Sequence, residues 1–437
     1  MNKGFETYVE QLESIAQKVL AVPGKDSLDK SLLTALDGGP RSALLENIPL
    51  NLRRKSGVFF TNSLLAKKAL KGVVGQIDNS TVFMDPACGA GDLLLSCAQL
   101  LPIKSDLELT LHTWGKRIMG TDIHPGFVRA AKVRLFLSAF LRTPKNRHKI
   151  SSYSDKWFPS LKTGSIFKNS TSLFEASMLV MNPPFNQVDS PNGCTWATGK
   201  VSSAALFVDY CVTHASPNSR IVAILPDVLR SGSRYENWRK HILKMADIEK
   251  VTLGEQFDKS TDIHVFVLQL KIIKPKHKQT KSWNLSGTKS GKAKVGDNFD
   301  VHVGSVVPYR DKMIGKHYPY IVAKKLPAWK EVSQIESTRR FAGTVFDPPF
   351  VVVRRTSRPE DKYRAIGTII LGNEPVAVEN HLLVLQPQNK TVTSCRRLLS
   401  NLRKSETSDW LNKRIRCRHL TVSSLRDLPW WSSVNEN

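Results

Sequence analysis

Between residues 51 and 273, short apolar runs alternate with amphipathic stretches, and this alternation constrains the fold more than any other feature of the chain. The runs at 81–84, 117–123, 177–182, 220–226 and 264–273 read as buried strands. The stretches at 92–101, 126–141 and 204–215 read as helices. Strands alternating with helices predict βαβ units and a mostly parallel sheet, so this part of the chain is expected to be an α/β domain. Composition changes at about residue 274. Residues 274–294 hold seven Lys, no Asp or Glu and few apolar side chains. Such a run cannot bury a core and is expected as an exposed linker. Apolar clusters return at 350–355, 368–372 and 381–387. The expected organisation is a helical N-terminal segment over 1–50, the α/β domain over 51–273, a Lys-rich linker over 274–298 and a smaller domain over 299–437.

Charge narrows the partner. The chain of 437 residues carries 64 Lys plus Arg against 38 Asp plus Glu, a formal net charge of +26. That surplus points to a polyanion, either nucleic acid or an anionic membrane surface. No run of about 18 apolar residues exists to span a bilayer. The N-terminus lacks the charged start, apolar stretch and cleavage site of a signal peptide. Its Phe5, Val9, Leu12, Ala16, Val19 and Leu20 recur at helical spacing and read as a docking helix. The six Cys are scattered without a CxxC pair. This fits reduced thiols in a cytoplasmic protein, with neither a disulfide framework nor a metal site.

Three turns carry the residues that chemistry needs. In TVFMDPACGAGDLLL (81–95) a strand runs into Asp85-Pro86-Ala87-Cys88-Gly89-Ala90-Gly91, and a helix follows. Small residues at 89–91 let backbone approach a ligand where doubly wound sheets place their cofactors. Asp85, at the strand tip, can accept from a ligand ammonium group. Alone, the turn suits a nucleotide or a purely structural bend equally well. Asp122, at the tip of the next strand, stands where a ribose diol is usually held; it would also cap a helix beginning after Pro125. The third turn is Asn182-Pro183-Pro184-Phe185, at the end of an apolar strand. An exocyclic amine on an aromatic base is a poor nucleophile because its lone pair is delocalised into the ring. Acceptors from Asn182 and the Pro183 carbonyl favour a pyramidal nitrogen, and Phe185 can stack on a flipped base. Asp347-Pro348-Pro349-Phe350 begins with Asp and follows no comparable glycine turn, so it is not read as a second site.

DPACGAG followed by NPPF resembles the S-adenosylmethionine (SAM)-dependent amino-methyltransferases, specifically the gamma-class N6-adenine DNA methyltransferases of restriction-modification systems. SGVFFTNSLLA (56–66) is similar to that family's N-terminal cofactor motif. The resemblance implies a Rossmann-like class I SAM-dependent methyltransferase fold with a smaller C-terminal target-recognition domain. It implies that Phe60 and Thr61 approach the methionine end of SAM and that Asp85 and Gly89 line its amino-acid moiety, with Ala87 and Gly91 also binding the cofactor. Asp122 would hold the ribose hydroxyls, Ile123 would also bind the cofactor, and Asn182, Pro183 and Phe185 would face a target adenine. The chain departs from the family at Asn62, where Pro is usual, and at Ser165, where an acid is common; Asp155 is the nearest substitute for that acid. The small polar stretch 186–205, with Trp196 and Lys200, is expected as a mobile loop at the cleft.

From residue 339 onward there are 17 Lys plus Arg against 9 Asp plus Glu. Arg354, Arg355, Arg358, Lys362, Arg364, Arg416 and Arg418 are the expected DNA contacts, since Arg suits guanine and phosphate. The reading is a site-specific adenine-N6 methyltransferase acting on double-stranded DNA, in a restriction-modification or phage-defence system. No metal takes part, and any cleavage resides in a separate subunit. The alternatives are a non-catalytic DNA-binding subunit of a defence complex, a protein-glutamine or ribosomal-RNA amino-methyltransferase, and an N4-cytosine enzyme.

Overall fold

The computed structural model describes residues 3–21, 30–47, 49, 61–143, 150–258, 261–273, 283 and 293–431. Phe60, expected at the cofactor, and nearly all of 274–292 lie outside the described residues. Contacts divide the chain into two compact units, one within 1–229 and 235–283, the other within 230–234 and 284–437.

In the first unit the strands follow in the order β1 (Phe83–Asp85), β2 (Ile118–Asp122), β3 (Leu161–Thr163), β4 (Met178–Met181), β5 (Gln187–Asp189), β6 (Lys200–Ser202), β7 (Arg220–Pro226), β8 (Ala246–Asp258) and β9 (Thr261–Ile272). Seven of them form one sheet in the order β3-β2-β1-β4-β7-β9-β8, while β5 and β6 make a separate ribbon. The first five strands of that order are mutually parallel. Strand β9 runs antiparallel to β7 and β8. Every residue of β1 and β4 is buried. This is why both read as unbroken apolar runs and not as alternating ones. The chain begins in the middle of the sheet, steps outward through β2 and β3, and returns to β4 on the other side of β1. The switch point of this doubly wound sheet therefore lies between β1 and β4, where ligands bind at the carboxyl edge.

The helix Pro125–Arg142 supplies much of the core, and thirteen of its residues are buried. The N-terminal helix Lys3–Ala21 docks there, with Phe5, Val9, Leu12 and Ala16 in the same cluster. Arg129 forks between Glu6 at 3.0 Å and Glu13 at 2.9 Å across that contact. The helices Lys3–Ala21, Lys30–Leu36 and Gly39–Asn47 thus share a core cluster with the α/β sheet. None of the apolar runs picked out in the sequence covers β8. Its pairing with β9 shifts register at three places, so no period of two survives in its sequence.

The second unit holds β10 (Phe299–Val303), β11 (Lys316–Ile321), β12 (Glu331–Val332), β13 (Thr338–Phe341), β14 (Phe350–Arg354), β15 (Gly367–Ile370), β16 (Ala377–Val378) and β17 (Leu382–Pro387). They form a five-stranded sheet, β10-β17-β14-β15-β12, and a three-stranded one, β13-β11-β16. Side chains alternate across the larger sheet. Val351, Val353, Leu383 and Leu385 pack with Leu398, Leu402, Leu411 and Leu425 of the C-terminal helices. Val352, Leu382 and Val384 pack on the other face with Phe346 and Val376. Phe350 is wholly buried as the first residue of β14, so the second Pro-Pro-Phe serves this core.

Candidate active site

Met84 of β1 pairs with Leu179 of β4, so Asp85 and Asn182 leave the sheet on adjacent strands at the same edge. Asp85 is 2% exposed, and its Oδ1 accepts from the Ala87 N–H at 3.0 Å. Burial pushes its carboxyl up to about 8; the Ala87 bond opposes this, and the carboxylates of Asp122 and Asp92 add to the rise. A cation placed beside it would favour the ionised form and bring that value down. The following turn needs glycine at 91. Its φ is +85°, and an added Cβ would lie 2.9 Å from the Cβ of Ala131. The turn is tied to the tip of β2, where the Gly89 N–H donates to Asp122 Oδ2 at 3.1 Å. The other oxygen of Asp122 accepts from His124 N–H at 2.9 Å, at the start of the helix Pro125–Arg142. Asp122 therefore ties the glycine turn to the start of that helix; it is half-buried, and a carboxylate has lone pairs enough for further donors. Beside it Ile123 is 64% exposed, an apolar surface next to a polar one. This set of groups (a buried acid, a glycine turn, a second acid with an exposed aliphatic neighbour) fits the ammonium, ribose and adenine of SAM.

At the β4 edge, Asn182 Nδ2 donates to Thr61 Oγ1 at 2.9 Å across 121 positions of sequence. That bond turns the amide so that its oxygen is the end facing away from Thr61. Thr61 is itself fixed, because its N–H donates to the carboxylate of Asp92. Asp92 pairs with Arg134 at 2.9 Å. Arg134 is 1% exposed and also donates to the carbonyls of Ala35, Leu36 and Ala90. One buried guanidinium thus joins the helix Lys30–Leu36, the glycine turn and, through Asp92 and Thr61, the amide of Asn182. Asp92 and Arg134 were missed from sequence. The available signal was a cation inside the apolar helix 126–141, on the same face as Ala130 and Ser138.

The two departures from the family have local explanations. Asn62 caps the helix Ser63–Leu70 by accepting from Leu65 N–H at 2.8 Å. An N-cap Asn starts a helix as well as a Pro in its first turn does. Ser165 follows β3 next to the tip of β2, where Gly164 N–H donates to Asp122 O at 2.9 Å. Asp155 does not substitute there; it precedes β3, at the opposite edge, and pairs with Lys132 at 3.3 Å.

Pro183 is buried, and Phe185 is half-buried between the two core clusters of the unit. Within the stretch expected as a mobile loop, 187–189 and 200–202 pair as the antiparallel ribbon β5–β6, and 203–205 begin the helix Ser203–His214. Trp196 anchors it, 4% exposed, with Nε1 donating to Asp209 Oδ2 at 3.0 Å, while Asp209 Oδ1 lies 2.8 Å from His241 Nε2. Lys200 pairs with Asp189 at 3.0 Å on the exposed side.

In the second unit, residues 355–357 pair through backbone with 418–420, bringing two Arg-rich segments together. Arg358, Lys362 and Arg418 are exposed, while Arg354, Arg355 and Arg416 are half-buried. Burial lowers the pKa of His419 in this cluster, and Arg355, His381 and Arg418 add repulsion. Arg364 departs from the expectation of a DNA contact. It is 0% exposed and donates to Asn412 Oδ1 at 3.0 Å, Ile415 O at 3.2 Å and Cys417 O at 3.0 Å. Arg364→Ala should leave those acceptors unsatisfied and destabilise the unit by about 1–3 kcal/mol, read as a lower denaturation midpoint.

The profile of a family described as N-6 DNA Methylase matches residues 42–298, more than half of the chain. No curated protein matches the sequence. Among solved structures, the type IIL restriction-modification enzyme MmeI in complex with DNA is similar over 98% of this chain and 80% of its own, at 12% identity and a TM-score of 0.54. The type IIG restriction endonuclease BpuSI is similar over 98% of this chain and 68% of its own, at 13% identity and a TM-score of 0.46. A class I SAM-dependent methyltransferase from Listeria monocytogenes is similar over 64% of this chain and 92% of its own, at 16% identity and a TM-score of 0.40. At such identities the likeness to MmeI speaks for the fold alone.

Proposed function

Because this chain belongs to the N-6 DNA methylase family, whose methyl donor is SAM, we propose that it methylates the N6 amine of an adenine flipped out of double-stranded DNA. The observation that carries this reading is the pair of Asp85 and Asn182 on adjacent strand tips at the switch point, with Asn182 held by Thr61. Bound SAM supplies a methyl group activated by its sulfonium. The chain's own residues do the rest. Asp85 receives the ammonium of the amino-acid moiety, and Asp122 accepts from the ribose hydroxyls beside Ile123. The Asn182 oxygen and the Pro183 carbonyl accept from the target amine, and Phe185 lies against the base. Extruding the base costs roughly a few kcal/mol, offset by this stacking and by contacts to its Watson–Crick edge. No step uses a protein nucleophile. The glycine-turn and Asn-Pro-Pro-Phe motifs favour the gamma class of the family. The setting belongs to the same proposal: a restriction-modification or phage-defence system, with any cleavage in another polypeptide.

Thr61→Val removes the acceptor that orients Asn182 and keeps the shape. Losing one such bond, worth about 1 kcal/mol, should slow single-turnover transfer by roughly fivefold. The cations Arg354, Arg355, Arg358, Lys362, Arg416 and Arg418 are proposed to hold DNA, with Arg364 supporting them from inside. The proposal as a whole is tested by supplying methyl-labelled SAM with duplex DNA, ribosomal RNA and a peptide-release factor in parallel. Label on DNA is the expected result; label on RNA or protein alone would move the chain to another substrate class.

A further inference from the structure

The second unit carries an apolar tip that its fold does not use. In the turn between β10 and β11, Tyr309 is 102% exposed, Met313 65% and Ile314 56%. Three large apolar side chains within six residues form a patch, whereas scattered single ones need no explanation. The turn beneath them is tightly made. Val307 O accepts from Arg310 N–H at 3.1 Å and from Asp311 N–H at 2.9 Å. The Asp311 carboxylate accepts from Val307 N–H at 2.8 Å, and Asp311 O accepts from Arg339 Nη2 at 2.6 Å. Arg339 is 5% exposed and lies over the Tyr320 ring at 5.6 Å. Gly315, with φ +90°, closes the turn so tightly that a Cβ would meet Phe341 O at 2.5 Å. The backbone is therefore fixed while the three side chains point outward.

Charge decides what the tip fits. Arg310, Lys312 and Lys316 flank the tip, all exposed, and the one acid of 305–325, Asp311, pairs with Arg310 at 3.2 Å while its carboxylate accepts from Val307 N–H. An apolar tip ringed by cations matches a polyanion with a stacked apolar interior. Met and Ile are among the side chains that wedge between base steps, and aromatic rings stack on exposed bases. We propose that residues 309–314 form a wedge that enters the base stack of duplex DNA, with the surrounding Lys and Arg on the phosphates. The inference rests on duplex DNA being the substrate and adds a mode of engagement to that reading.

The test uses the full chain and a fluorescein-labelled, mixed-sequence duplex. The triple variant Tyr309→Ser, Met313→Ser, Ile314→Ser changes only exposed side chains, so its thermal melt should match the wild type. It should bind the duplex about tenfold or more weakly, as expected for loss of stacking by one base or more. The slope of log affinity against log salt should stay unchanged, since no charge is lost. Permanganate reactivity of thymines away from any flipped adenine, which reports unstacking, should rise with wild type and not with the variant. The control Arg310→Ser, Lys312→Ser should instead flatten the salt slope by about two. Unchanged affinity and reactivity in the triple variant would overturn the wedge while leaving the methyltransferase reading intact. Loss of a protein partner with DNA binding unaltered would make the tip a protein contact and overturn it too. A wild-type chain that neither binds nor methylates duplex DNA would remove the reading on which the wedge stands.

Discussion

Asn182→Ala is expected to slow methyl transfer by about 10²–10³-fold, the range seen when one preorganised group facing developing charge is removed. The target nitrogen is flat and weakly nucleophilic in the free base. As its bond to the methyl carbon forms, it gains positive charge and its N–H bonds become stronger donors. The amide oxygen of Asn182 therefore binds the transition state more strongly than the ground state. The loss should fall on kcat and leave the affinity for SAM nearly unchanged, because Asn182 lies on the base side of the site. The fold should tolerate the change, since Asn182 is half-buried and its amide donates to the hydroxyl of Thr61. Rapid quench of labelled SAM against duplex DNA measures the first quantity, and calorimetry the second. Equal losses in both would mean that Asn182 shapes the cofactor site and not the amine.

Asp85→Asn should produce two effects of opposite sign. The carboxyl is raised from an ordinary 3.8 to about 8 by burial, so folding favours its protonated form. A group raised in this way contributes stability that is fully present below its unfolded value, near 4, and lost as pH rises through about 8. Asn cannot ionise, so the variant should gain on wild type as pH rises from about 4, with the largest difference in its favour at pH 9 and near equality only below pH 4. Binding responds in the other direction. The ammonium of SAM favours the ionised carboxylate, so wild-type affinity should increase as pH rises towards 8 and binding should release a proton. The variant lacks that charge. Losing a charged hydrogen bond worth roughly 1.5–3 kcal/mol should weaken SAM binding about ten- to a hundredfold and abolish its pH dependence. Calorimetry in buffers of different ionisation enthalpy reads the proton directly. A variant that is less stable at pH 9 and binds SAM normally would make Asp85 a structural residue of the turn.

Local pattern made much of this architecture legible. The strands β1, β4 and β7 are continuous apolar runs because parallel strands are covered on both faces, and the turns after β1 and β4 declare themselves by composition. What remained hidden depended on partners distant in sequence. Asp92 and Arg134 give no local sign of a link to Asn182, because the link runs through Thr61 and exists only once four segments meet. Arg364 stands among cations that are half-buried or exposed and looks like one of them. Its carbonyl acceptors at 415 and 417 come from the end of a later helix, which no pattern in 351–370 reveals. Trp196 was taken with a polar loop for the same reason: its acceptor, Asp209, sits on the helix Ser203–His214. The bulged edge strand β8 shows the converse, in which a structure is present but its period is broken.

The central claim, methylation of adenine N6 in duplex DNA by the pair of strand tips at Asp85 and Asn182, is tested most directly by the identity of the product. Duplex DNA incubated with the wild-type chain and methyl-labelled SAM is digested to nucleosides and separated. Label in N6-methyldeoxyadenosine, absent with Asn182→Ala, is the predicted result. Label in N4-methyldeoxycytidine, or no labelled nucleoside while SAM still binds, would contradict it.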